Sequence, residues 1–296
     1  MKDSKNLYTR SFPEYRLSDE DLKSLQNELL GILVDIKTVC DKHHIDYMLC
    51  GGTTLGAIRH KGFIPWDDDV DLMMLRSEFC KFKNAFMEEF SDRYEIAEPL
   101  SMPRYYSKIV KIFKKGTTYI EIPTAGIAGP DMIFVDLFLI ENVPSPGLKR
   151  KLKAFAYDFA FRASSVCLDY KYPSLPILEK SKHCRELKNY YSFRRFVGWF
   201  FSLFGSIQFY IKICESLANQ QEETGWVGIP SDSGYLERIY PREFFSHFGE
   251  AEFCGYKMKI PEDYDKYLRA EYGDYMQIPP PENREIHSAY KISFSE

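Results

Sequence analysis

The sequence predicts an α+β protein: a mixed β-sheet with flanking helices, then a helical insertion or second half. Three observations carry this expectation. A long amphipathic pattern opens the chain, with Leu22, Leu25, Leu29, Ile32, Leu33, Ile36 and Val39 at helical spacing. Short apolar runs of strand character then alternate with turns and helices as far as Pro144, Pro146 and Gly147. From Leu148 to Gln221 the chain turns helical, basic and aromatic.

Taken in order, Ser18 in the pattern SDED caps the first helix, which should end near His43 and His44. Ile45 to Cys50 reads as a short strand, and Gly51 and Gly52 punctuate it. Thr54 to His60 reads as a short helix, Val70 to Met74 as a strand, and Ser77 as the cap of a helix running to about Phe90. Ser107 to Phe113 and Thr117 to Ile122 read as strands around the turn Lys114, Lys115, Gly116. Met132 to Ile140 is an apolar strand with Asp136 in its middle. Beyond residue 221 the elements are short and mixed, and Pro261 to Tyr272 reads as a helix closed by Gly273.

The bulk numbers exclude several classes. The 296 residues are 45% hydrophobic and 16% aromatic, which marks a folded chain. The net charge of -4 gives no global field for nucleic acid. Seven cysteines stand at 40, 50, 80, 167, 184, 214 and 254 without a CxxC pair, so zinc ligation of the usual spacing is not expected. An odd, scattered set fits a reducing compartment. The first residues carry no apolar signal core, and the expected location is cytoplasmic. The uncharged stretch Phe196 to Ile211 falls short of a bilayer span of roughly 20 residues, and the expectation for it is a buried helix pair. The alternative is an aromatic surface at a membrane interface, flanked by Arg194, Arg195 and Lys212.

The chemistry concentrates between Gly51 and Leu72, in GGTTLGAIRHKGFIPWDDDVDL. A small-residue turn at Gly51, Gly52 and Thr53 offers backbone N–H groups to phosphate oxygens. Asp69 and Asp71 flank Val70, so on a strand both carboxylates share one face. Two adjacent acids repel unless a cation lies between them, and hard oxygen donors suit Mg²⁺. Asp136, alone in an apolar strand, is the natural third ligand on a neighbouring strand. Spacing leaves open whether Asp67 joins them. Asp68 should point the other way, toward Arg59 or Lys61, two cations placed to neutralise phosphate. A phosphate cradle beside metal ligands outlines a phosphoryl-transfer site.

These residues resemble the LicD family, bacterial relatives of the fukutin group of phosphotransferases. The resemblance rests on LGAIRHKGFIPWDDDVDL, on VDLF around Asp136, and on YGDYMQIPP from Tyr272 to Pro280 followed by His287. It implies a nucleotidyltransferase-like mixed sheet, with residues 1–147 as catalytic core, 148–221 as a helical insertion and 222–296 completing the core. On that pattern Gly51 and Gly52 cradle phosphate, Asp69 and Asp71 are paired metal ligands, and Asp136 is the third carboxylate. The resemblance further implies Mg²⁺, or Mn²⁺, and CDP-choline as donor. The acceptor would be a hydroxyl of a surface glycan or teichoic-acid precursor, free or lipid-linked, with peripheral membrane contact and no nucleic acid. Other members move other polyol or sugar phosphates from CDP-linked donors, and a degenerate member would only bind phosphorylated glycans. Choline recognition calls for an aromatic cage, with Trp66, Tyr105, Tyr106, Tyr119 and Tyr275 as candidates.

Overall fold

A computed structural model describes residues 11–232, 234–281, 284 and 289–294. His287, part of the C-terminal motif, lies outside the described residues. Helix α1 (Asp19–His43) begins as the sequence predicts, Ser18 Oγ accepting the Asp21 amide at 3.1 Å. It ends where His44 turns left-handed. Its stripe of Leu25, Leu29, Ile32, Leu33, Ile36 and Val39 is buried against Leu72, Met74, Ile112, Val135 and Leu137 of the sheet.

The main sheet has the order β1-β2-β6-β4-β3, from strands β1 (Met48–Leu49), β2 (Asp71–Leu75), β3 (Tyr94–Ala97), β4 (Val110–Lys114) and β6 (Phe134–Asn142). β2 and β6 run parallel at its centre, and the other pairings are antiparallel. Helix α2 (Gly51–His60) follows β1, and α3 (Arg76–Phe90) follows β2. β7 (Trp226–Gly228) pairs with the end of β6, and β8 (Ile239–Pro241) pairs with β7, so the chain returns to the sheet after the helices. A hairpin of β9 (Phe248–Phe253) and β10 (Tyr256–Pro261) stands apart, as does the pair of β5 (Thr118–Glu121) and β11 (Ala289–Ser293). The fold is α+β with a mixed sheet.

Between these returns lie α4 (Leu148–Lys171), α5 (Leu175–Ser181), α6 (Arg185–Ser202) and α7 (Ile207–Ala218); α8 (Tyr264–Tyr272) follows β10. A core of Ala154, Tyr157, Ala160, Ile207, Tyr210 and Cys214 joins α4 to α7 and also takes in Tyr106, Val143 and Tyr235 from outside the helices.

Several local expectations differ. Gly51 and Gly52 form the first turn of α2, not a loop before it. Residues 107–109 stay outside β4, and β5 pairs with β11 rather than with β4. Ser77 is no cap, because α3 starts at Arg76. Pro261 ends β10, where its missing N–H costs no ladder bond, and α8 begins at Tyr264. The larger correction concerns Phe196 to Ile211. It forms parts of α6 and α7, bent by 81°, and no single helix among the described residues is long and apolar enough to cross a membrane. It is not a buried pair. Gly198 of α6 and Ile211 and Cys214 of α7 face α4, Leu187 and Tyr191 of α6 are buried against Phe12, Ile122 and Ile177, and Phe196, Leu203 and Phe204 stay more than 60% exposed.

Candidate active site

β2 and β6 position the acids. In the parallel register Asp71 stands opposite Asp136, and the Asp136 amide donates to the Val70 carbonyl at 3.0 Å. Val70 and Leu72 are fully buried on the core side, so Asp69 and Asp71 face the other way, as the period-two pattern requires. Burial, then the charges of Asp69 and Asp136, push the Asp71 carboxyl well above the usual carboxylate range. Asp136 is pushed up to about 6 by burial, against the opposing pull of Lys111.

Lys111 lies opposite Asp136 on β4, and its Nζ sits 3.4 Å from Asp136 Oδ1 and 3.4 Å from Glu121. It also lies 3.2 Å from the centre of the Phe134 ring. Asp136 is therefore not a lone acid: a buried lysine shares its strand register. Sequence reasoning missed Lys111 and Glu121. The signal was present, since VKIF carries one cation in an apolar strand much as MIFVDLFLI carries one acid.

A cavity of about 90 Å³ is lined by Asp68, Asp69, Tyr119, Glu121, Phe134 and Asp136. Asp68 points into this space, accepting from Tyr119 Oη at 3.2 Å, and not toward Arg59 or Lys61. The acid whose charge reaches Arg59 is Asp67. The Tyr119, Glu121 and Phe134 walls are shared with a second pocket of about 310 Å³, which adds Tyr105, Tyr106, Lys108, Lys111 and Phe161. Three of the aromatic-cage candidates, Tyr105, Tyr106 and Tyr119, meet here. Trp66 packs instead under Arg284, and Tyr275 bonds Asp265 at 2.8 Å. Lys108 is half-buried, donates to Ser164 Oγ at 3.1 Å, and is pushed down by desolvation to about 8.

The glycine turn is more occupied than the sequence implies. Gly51 has φ +50°, which favours glycine, and a Cβ there would stand 3.5 Å from Asp71 Oδ2 and 3.3 Å from Tyr272 Oη. Its amide donates to Tyr267 Oη at 2.8 Å. The Thr53 and Thr54 amides return to the Cys50 carbonyl. Thr53 is buried, and its hydroxyl accepts the Asp71 amide at 2.9 Å, so it braces the acid strand. Gly52 borders Asp67, whose Oδ2 would lie 3.3 Å from a Cβ there.

The two basic candidates diverge. Arg59 donates to the Tyr275 carbonyl at 2.6 Å and pins the C-terminal segment beside Asp67. Lys61, left-handed at the end of α2, is exposed and turns outward to Glu252 at 3.9 Å. A half-buried cation nearer the start of α2 is Arg238, paired with Asp232 and Glu271 at 2.9 Å each and close enough to Cys50 and Tyr267 to feel their charge.

The donor set consists of hard carboxylate oxygens, crowded and desolvated, and the buried Asp136 Oδ1 has only the long 3.4 Å ion pair to Lys111. That chemistry fits a divalent cation. Among the described residues no three His, Cys, Asp or Glu side chains close up to ligating geometry, so the acids are gathered but not drawn around a point.

The chain matches the model described as LicD/FKTN/FKRP, nucleotidyltransferase domain, over residues 44–121. The lipopolysaccharide cholinephosphotransferase LicD of Haemophilus influenzae is 30% identical over 276 residues, covering 90% of this chain and 95% of that protein. The chain belongs to the LicD family. Uncharacterised proteins of Rickettsia typhi and Rickettsia prowazekii are 35% identical over 69 and 65 residues, covering 23% and 22% of this chain and 21% and 23% of theirs. The LicD model match spans α2, β2, Lys111, Tyr119 and Glu121, and the longer match to the Haemophilus LicD extends the relationship over most of the chain.

Proposed function

We propose that this phosphotransferase moves phosphocholine from CDP-choline to a hydroxyl of a cell-surface glycan or teichoic-acid precursor, with Mg²⁺ or Mn²⁺ held by Asp69, Asp71 and Asp136. The observation that carries the reading is the acid cavity lying beside an aromatic pocket, with Tyr119, Glu121 and Phe134 as their common wall. Family membership and the Haemophilus cholinephosphotransferase support it. When bound, the cation supplies charge neutralisation at the donor's diphosphate. Gly52 and the start of α2 meet phosphate oxygens with backbone N–H groups. Lys111 holds Asp136 in place, and Asp136 takes the proton of the acceptor hydroxyl as CMP leaves. The aromatic walls receive the trimethylammonium group. All seven cysteines are free, which supports a cytoplasmic site of action.

A second reading keeps the fold and changes the head group. Lys108 and Lys111 both line the aromatic pocket, and two ammonium groups suit a polyol or sugar phosphate better than a quaternary ammonium. A panel of CDP-linked donors, assayed for CMP release with and without Mg²⁺, separates the two. CDP-choline as the best donor supports the first reading. Preference for CDP-ribitol or CDP-glycerol replaces it with the second.

A further inference from the structure

We propose that α4, α6 and α7 form a docking surface for an anionic phospholipid leaflet, which receives their exposed aromatic face. Among the described residues, thirteen of the nineteen large apolar side chains left exposed lie between Leu148 and Phe209, so this surface is concentrated and not scattered. On α4, Leu148, Leu152, Phe155 and Phe159 follow one another along a single stripe, with Leu148 71% and Phe155 74% exposed. The stripe continues onto the next helices. Phe159 meets Phe201 at 5.5 Å between ring centres, Phe201 meets Phe200 at 5.6 Å, and Phe200 meets Phe204 at 5.1 Å. Phe196 and Trp199 pair beside them at 5.8 Å.

The platform is firmly built. Gly198 of α6 lets the two helices touch, since a Cβ there would stand 1.9 Å from the Val166 carbonyl oxygen of α4. Apolar exposure therefore does not come from a loose arm swinging away from the core.

Charge decides the occupant. Residues 148–218 carry thirteen Lys and Arg against five Asp and Glu, a net of +8 in a chain whose total is -4, so the remainder carries -12. Lys151 and Arg162 border the α4 stripe, and Lys212 follows Phe209 by one turn. Aromatic side chains bordered by Lys and Arg match the boundary between acyl chains and anionic headgroups. A second copy of the chain would set one basic face against another across a two-fold axis, which like charge opposes. No single helix among the described residues is long and apolar enough to cross the leaflet, and α6 and α7 meet at an 81° bend. On the other side of α4, Phe161 and Leu168 line the aromatic pocket, so one helix joins the leaflet to the site. The docking surface rests on exposure and charge alone and stands whether or not phosphocholine is the transferred group.

The test uses the full chain and vesicles of phosphatidylcholine with or without phosphatidylglycerol. The expected result is cosedimentation with the anionic vesicles that weakens as salt rises, with quenching of Trp199 by brominated lipid that Trp199→Phe removes. The double variant Phe196→Glu, Leu203→Glu should partition at least about tenfold less, while its melting temperature and its CMP release from a soluble donor stay at wild-type values. No cosedimentation at low salt overturns the proposal. Equal partition by the double variant does so too, as does a dimer in light scattering that the double variant splits while vesicles remain unbound.

Discussion

Asp71 and Asp136 are register partners on parallel strands, and Lys111 completes the row on the other side of Asp136. Two desolvated acids and one lysine in adjacent central strands make an expensive arrangement for a fold to keep. Its cost is the measurable signature of the site.

Asp71→Asn tests that cost. The folded state raises the Asp71 pKa, so the charged carboxylate opposes folding above its ordinary titration range. The favourable side of this linkage is complete below the unfolded pKa and lost as pH rises through the folded one. In EDTA, Asp71→Asn should therefore melt higher than wild type at pH near 8, by about 3 °C for each ~1 kcal/mol relieved. The difference should vanish near pH 4, close to the unfolded value. Mg²⁺ should stabilise the wild type and leave the variant unmoved; equal Mg²⁺ stabilisation of both would remove the cation from this site.

Lys111→Met should be the more damaging change. It leaves Asp136 and Glu121 facing each other without their shared cation. Breaking a buried pair costs about 3–5 kcal/mol, and the thermal melt should drop accordingly at neutral pH. Lys111→Met with Asp136→Asn should recover most of the loss, because the remaining charge goes with its partner. Additive losses in the double variant would show that the two side chains act separately.

Lys108 gives a pH dependence. Burial brings its pKa to about 8, so the amine loses its charge as pH rises through that value. A trimethylammonium group in the same pocket gains from that loss. KM for CDP-choline should fall between pH 7 and pH 9 in the wild type and stay flat in Lys108→Gln. A KM that rises over this interval points to an anionic or hydroxyl-rich head group instead.

Gly52→Val should abolish donor binding, read by calorimetry with CDP-choline. The new side chain crowds Asp67 at the open turn of α2, where a phosphate oxygen would need the same space. Unchanged affinity would reduce the turn to a structural role.

What the sequence discloses is what repeats locally. The α1 stripe, the Asp69–Asp71 spacing and the mismatch of Asp136 in an apolar strand all follow from periods of 3.6 and 2 within one element. The pairing of Lys111 with Asp136 depends on β4 lying beside β6, which no local period records. Lys61 looks like a neighbour of the acids in sequence, but the left-handed end of α2 turns it outward to Glu252. Arg59 spends its donors on the carbonyls of Tyr275 and Gln277, contributed by a segment more than two hundred residues later. The uncharged run at Phe196 reads as core by composition; only the packing of α6 and α7 on α4 shows which sides stay exposed.

The most direct measurement is CMP release from CDP-choline in Mg²⁺ by wild type and folded Asp71→Asn, each with and without a glycan acceptor. The account predicts acceptor-dependent release by the wild type and a loss of about a thousandfold or more in the variant. Equal release by the two proteins, or no release from CDP-choline by the wild type, would contradict it.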